Sequence, residues 1–235
     1  MSISDISFHT FRNSMPEVIT DTDVILIDTH NFTTTSIEAL SNGAKEIVPL
    51  TSTKGGIANR VTLVAGDNDY ELENHPEYMT KDKVNNQIIG IDSWNGSSAV
   101  HDIRGRIQGD VNVYLGSLTN APAIACSLEN SDSITFILAG SGGNNPPEDV
   151  LTMQCIIQFL YTDLDSIPMV CSLYEQMYIT SVLDVYDALY EDKKELGLFG
   201  CPNQHAIETA SKVTSSPAFT PERMSQINLI GIIEL

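Results

Sequence analysis

Basic residues are scarce in this chain of 235: 12 Lys and Arg stand against 31 Asp and Glu, a formal net charge of −19. That balance excludes nucleic acid as a partner, because a polyanion is held by clustered Lys and Arg. A soluble domain ordinarily needs a net charge of only about 2 to 8 in magnitude. The surplus reads either as a solubilising surface or as adaptation to a high-salt cytoplasm, where a Debye length of about 3 Å at 1 M salt removes self-repulsion. Long apolar runs are lacking too. None approaches the roughly 18 continuous residues of a membrane span, and Met1-Ser2-Ile3-Ser4-Asp5 has neither the basic nor the apolar region of a leader. The chain is therefore expected in the cytoplasm, without a membrane partner. Cysteine is sparse: Cys126, Cys155, Cys171 and Cys201 lie far apart with no C-x-x-C, so buried free thiols are expected. The five histidines show no H-x-H or H-E-x-x-H spacing, no G-x-S-x-G is present, and Gly140-Ser141-Gly142-Gly143 lacks both the spacing of G-x-G-x-x-G and a P-loop Lys.

Apolar residues make up 42% of the chain, enough for a sizeable core. Six short apolar runs read as strands: Val24 to Ile27, Ile47 to Leu50, Val61 to Gly66, Gln87 to Asp92, Val111 to Ser117 and Ile134 to Gly140. Helical stretches alternate with them, the first running through Ser36 to Leu40 and stopping at Asn42-Gly43. The pattern predicts a single α/β domain over 1–235, three-layer α/β/α, with a largely parallel or mixed sheet. Thr33 to Leu50 and Ala121 to Leu138 share one plan of helix, Asn stop and strand, which an internal duplication into halves 1–110 and 111–235 would leave. A helix apolar nearly all round is expected from Glu148, and a second long one from Pro168 to about Gly197. A Ser/Thr/Pro-rich tail and an edge strand at 230–233 complete the chain.

In a parallel sheet the loops after the strands converge on one rim, where ligands bind. Helix N-termini there suit a phosphate or sulfonate without a Lys. Asp28, Asp67, Glu148 and Asp149 offer hard oxygens to Mg²⁺, which is commonly held by one or two carboxylates plus waters and substrate oxygens. The same residues also read as ordinary helix furniture: Thr33, Thr34, Thr35 and Ser97 as caps, Glu148 and Asp149 as first-turn acids.

Leu26 to Thr35 (LIDTHNFTTT), followed by Ser36 to Ile47, resembles the opening motif V-I-D-V-L-R-A-T-T-T and A-L-x-N-G-A-K-E-I of the 2-phosphosulfolactate phosphatase family. Tyr70 to Pro76 resembles its F-D-L-G-N-S-P, Ser93 to Ala99 its T-T-N-G-T-R-A, and Leu115 to Ala121 its G-S-F-L-N-A. Ala139 to Gly143, then Glu148 to Leu151, resemble A-G-T-E-G and L-E-D-V-L. The resemblance implies an α/β fold and Mg²⁺-dependent hydrolysis of 2-phosphosulfolactate, a step toward coenzyme M. It implies Asp28, Glu148 and Asp149 as catalytic and Asp28 and Asp67 as metal ligands. Substrate would be held by Asn31, Thr33, Thr34, Asn95, Gly96, Ser97, Ser141 and Gly143. The expected partner is a small anionic metabolite, with a homo-oligomer also compatible. Departures from the pattern matter: Asn31, Asn68 and Ser98 stand where the family has Arg, and Gly142 where it has Glu. Each Arg bond to an anion is worth about 1.5 to 3 kcal/mol, so a non-catalytic or repurposed paralogue, or a less anionic substrate, is the alternative reading. Arg104 and Arg106 do not compensate, since Arg104 falls about 9 to 10 Å along its helix from the anion-binding end.

Overall fold

Buried side chains on both faces of a strand leave no room for a polar stripe, and the sequence obeys this where the sheet is central. The computed structural model describes residues 3–10, 14–51, 60–66, 70–140, 147–161 and 231–232. Five strands make the larger sheet: β1 (Asp5–His9), β2 (Asp23–Ile27), β6 (Val113–Gly116), β7 (Ser133–Leu138) and β8 (Gly231–Ile232). Their order is β1-β7-β2-β6-β8, parallel throughout except for the antiparallel β8 at one edge. In the centre Ile25 pairs with Tyr114 on one side and Phe136 on the other. The smaller sheet holds β3 (Glu46–Leu50), β4 (Leu63–Gly66) and β5 (Ile88–Asp92) in the order β3-β5-β4, all parallel.

Helices fill the crossovers: α1 (Phe32–Ser41), α2 (Lys81–Val84), α3 (Gly96–Arg104), α4 (Ala121–Ser127) and α5 (Pro147–Leu160). Alternation along the strands sends Ile25, Ile27, Phe136 and Leu138 into one core with α4 and α5. Val24, Leu26, Leu115 and Ile137 go to the opposite core with α1, α3 and the smaller sheet. α1 and α3 touch strands of both sheets, so they form the layer between them. The α/β/α layering is thus present around the larger sheet, and the expected strands are divided between two sheets because α1 and α3 return the chain to different ones.

Observed strands match the six expected runs within two residues, and β8 lies where the edge strand was expected. β1 is a strand that the periodicity missed: Asp5-Ile6-Ser7-Phe8-His9 mixes polar and apolar residues because it is an edge, with Phe8 exposed. α1 ends at Asn42, and Gly43 takes φ +96°, the left-handed geometry that favours glycine after a helix. Cys155 is buried as expected, whereas Cys126 is exposed, since α4 turns Ala121, Ile124 and Ala125 inward and leaves position 126 outside. The expected helix from Pro168, the tail, Cys171 and Cys201 lie outside the described residues. No helix among the described residues is long and apolar enough to cross a membrane.

Candidate active site

Asp28 follows the last residue of β2 and precedes α1, at the rim where the carboxyl ends of both sheets meet. Its main chain is locked by Thr33: the Asp28 N–H donates to Thr33 Oγ1 at 3.2 Å, and that hydroxyl donates back to the Asp28 carbonyl at 2.8 Å. The Thr33 N–H bonds the same carbonyl at 3.0 Å, and the Thr34 hydroxyl donates to the carbonyl of Thr29 at 2.7 Å. Both threonine hydroxyls therefore serve the loop that aims Asp28. Thr35 differs: its side chain is wholly buried and its Oγ1 has no hydrogen-bond partner.

The smaller sheet reaches the same carboxylate through the turn between β5 and α3. Ser93 donates its hydroxyl to Asp28 Oδ2 at 3.4 Å and accepts the N–H of Gly96 at 3.2 Å. Ser97 shapes the turn, its Oγ accepting the Ser93 N–H at 3.2 Å and donating to the Ile91 carbonyl at 2.7 Å. Gly96 is required by close approach, since a Cβ there would lie 2.4 Å from Asp28 Oδ2 and 2.3 Å from Phe32 Cβ. Asn95 and Asn31 occupy the N-cap positions of α3 and α1 without side-chain caps, and the buried Asn31 Oδ1 has no partner.

The third side is the first turn of α5. Asp149 Oδ1 accepts the Thr29 N–H at 2.8 Å, and the Thr29 and Thr152 hydroxyls bond at 2.8 Å, all of them buried. Burial pushes the Asp149 carboxyl well above the ordinary aspartate range, and the neighbouring charges of Glu148 and Asp28 push the same way, against the Thr29 hydrogen bonds. Glu148 is raised as well, by loss of solvent. A loop at the end of β6 closes the rim, where Asn120 accepts the Ser117 N–H and donates to the Leu115 carbonyl, both at 2.8 Å.

The structure thus brings together Asp28, Glu148, Asp149, Asn31, Thr33, Thr34, Asn95, Gly96 and Ser97, while Asp67, Ser141 and Gly143 lie outside the described residues. Sequence reading did not single out Thr29 or Ser93, whose partners are 120 and 65 residues away and leave no local signal. Nor does an arginine come to Asp28 from α3: Arg106 Nη1 donates to the Met15 and Pro16 carbonyls at 2.8 and 3.1 Å, and Arg104 is exposed. Among the described residues no three His, Cys, Asp or Glu side chains are set to enclose a metal. The neighbouring carboxylates of Asp28, Glu148 and Asp149 fit at most an open site, in which they would supply part of a divalent cation's shell and waters or a ligand's oxygens the rest.

The sequence profile of the 2-phosphosulpholactate phosphatase family matches residues 9–212. A probable 2-phosphosulfolactate phosphatase of Caldanaerobacter subterraneus subsp. tengcongensis is 29% identical over 175 residues, 68% of this chain and 71% of that one. Proteins of the same name from Thermotoga petrophila and Clostridium novyi are each 25% identical, over 58% and 71% of this chain. The matched region spans 61% of the Thermotoga petrophila protein and 71% of the Clostridium novyi protein.

Proposed function

From the premise that the chain belongs to the 2-phosphosulfolactate phosphatase family, we propose that it is a Mg²⁺-dependent hydrolase of a small phosphate monoester, with 2-phosphosulfolactate, on the route to coenzyme M, as the first substrate to try. The observation that carries this reading is the convergence of Asp28 with the first turns of α1, α3 and α5 and with the Asp149 carboxylate. Helix N-termini favour an anion, and buried carboxylates favour a divalent cation beside it. Asp28 would hold the metal, and Glu148 and Asp149 would add negative charge to the same site. When bound, Mg²⁺ polarises the phosphoryl oxygens and offsets the charge of the carboxylates. Ser93 and Gly96 fix the direction of Asp28, and Thr33 fixes its backbone. The acidic surface repels an anionic ester, and multimolar salt relieves that repulsion at long range. A cytoplasmic enzyme adapted to high salt fits this charge.

The position of the arginines favours a second reading. Asn31 holds a place where the family motif has Arg, Arg106 is spent on Met15 and Pro16, and Arg60 pairs with Glu46 at 2.7 Å. A repurposed or non-catalytic paralogue would keep such a scaffold and lose the anion. Turnover of 2-phosphosulfolactate and of simple phosphomonoesters, measured with Mg²⁺ at low and multimolar salt, separates the two. Turnover above the enzyme-free control is expected, and its absence at every salt concentration overturns the hydrolase reading.

A further inference from the structure

β1 is the outermost strand of the larger sheet, parallel to β7 on one side and with no strand on the other among the described residues. Every second residue of such an edge turns its N–H and C=O away from the sheet, which makes a template for a further strand. Native edges are commonly blunted by Lys, Pro or a bulge. Asp5-Ile6-Ser7-Phe8-His9 has neither Lys nor Pro, and its register with β7 runs unbroken from Asp5 opposite Ser133 to His9 opposite Ile137. Phe8 is 58% exposed, while Ile6, on the same face of the strand, is half-buried against the core formed with α4 and α5.

This edge is complementary to itself about Ser7. Two copies of β1 laid antiparallel, with Ser7 opposite Ser7, bring Phe8 opposite Ile6 and Asp5 opposite His9, each pair occurring twice. Residues equally far from the centre have the same parity, so the outward backbone groups of one copy meet those of the other and the ladder closes. Centring on Ile6 instead sets Phe8 against Ser4, and centring on Phe8 sets Ile6 against Thr10. Charge points to the same register. In a chain of net charge −19 most faces of two copies repel each other. At β1 the one acid meets an imidazole, which always offers an N–H and carries a positive charge once protonated.

We propose that β1 is a dimerisation edge, pairing antiparallel with β1 of a second copy of this chain about a two-fold axis at Ser7, so that the two larger sheets become one. The inference is independent of the phosphatase reading, since no residue of the candidate active site takes part. A five-residue seam is small beside a standard interface, which places the dissociation constant at about 1 to 100 µM. Salt screens the acidic remainder of the two surfaces, so association tightens as salt rises.

Sedimentation of the full chain across that concentration range, at about 0.1 and 1 M NaCl, is expected to show a monomer–dimer equilibrium shifted toward dimer at the higher salt. Phe8→Lys and His9→Glu should each weaken it by about five- to thirtyfold, because each change occurs twice across the axis. Adding Asp5→Lys to His9→Glu places Lys opposite Glu and should restore the dimer. Register is read by cross-linking, since residues directly opposite in an antiparallel pair have Cα atoms about 4.5 to 5.5 Å apart, within the reach of a disulfide. With the exposed Cys126 changed to Ser, Ser7→Cys should give a disulfide-linked dimer under mild oxidation and Phe8→Cys should not, because only position 7 faces itself. A monomer at every concentration and salt overturns the proposal and leaves the edge to another occupant. So does a dimer indifferent to Phe8→Lys and His9→Glu, a double variant that stays monomeric, or equal cross-linking at positions 7 and 8. The cross-linking comparison decides even where Phe8→Lys fails to fold.

Discussion

Ser93 Oγ lies 3.4 Å from Asp28 Oδ2 and joins the carboxyl end of the smaller sheet to that of the larger one. The bond is long and individually weak. Alignment of the two sheets at this point rests more on the steric fit of Gly96 against Asp28 and Phe32. Substituting Gly96→Ala is therefore expected to destabilise the protein by about 1 to 3 kcal/mol, as overpacking does, because both obstructing groups belong to buried, tethered residues. Urea unfolding would show it as a lowered midpoint at unchanged slope. Turnover of phosphomonoesters should fall in the same variant, and retention of both stability and turnover would contradict the packing at this turn.

Stability should depend on pH through Asp149. Its carboxyl is raised by burial first, then by Glu148 and Asp28, from an ordinary value of 3.8. Above that value the unfolded chain has released a proton that the folded chain still holds. Stability from this group is therefore full at acid pH and is lost as pH rises through the raised folded value. Asp149→Asn keeps an acceptor for the Thr29 N–H and removes the charge. In EDTA, the natural chain is expected to lose stability relative to Asp149→Asn as pH climbs from 4 to 8. Added Mg²⁺ should flatten that difference. A gap independent of pH would refute this account of Asp149.

Chemistry is expected to fail most sharply at Asp28. Asp28→Asn retains the size of the side chain and an oxygen for Ser93, so the fold should survive. Turnover of the best phosphomonoester should fall by about 10²- to 10⁴-fold if the carboxylate acts on the reaction. Mg²⁺ affinity, measured by calorimetry, should fall with it. Removal of metal from the natural chain by EDTA should abolish turnover and be reversed by added Mg²⁺. Undiminished activity in Asp28→Asn would move the reaction away from this rim.

The larger elements were legible because their signals are local. Val24 to Ile27 and Ile134 to Leu138 are buried on both faces, and such strands read as nearly continuous apolar runs, broken here only by Thr135. The stop at Asn42-Gly43 was equally plain. Edge strand β1 was not, because an exposed edge has no apolar run to display. Division into two sheets depends on which strand each crossover returns to, and hydrophobic period carries no information on that. At the site, Asp28, Glu148 and Asp149 stood out as carboxylates at element ends. Thr29 and Ser93 did not, since a backbone N–H and a lone hydroxyl gain meaning only from partners folded against them.

Three consecutive threonines open α1, and the structure separates their tasks. Thr33 and Thr34 donate to the carbonyls of Asp28 and Thr29, so Thr33→Val or Thr34→Val should cost about 1 to 3 kcal/mol and displace the Asp28 loop. The Thr35 hydroxyl is buried without a partner, a state that itself costs about 1 to 3 kcal/mol. Valine has nearly the same shape and the same branching at Cβ, so helix preference and packing change little. Thr35→Val is accordingly expected to stabilise the protein, by about 1 kcal/mol, and to raise Tm by about 2 to 4 °C in a chain of this length. The opposite sign would mean that the hydroxyl meets a bound water or ligand group in solution. Calorimetric unfolding of the three variants side by side decides the matter, with Thr35→Val above the natural chain and the other two below it.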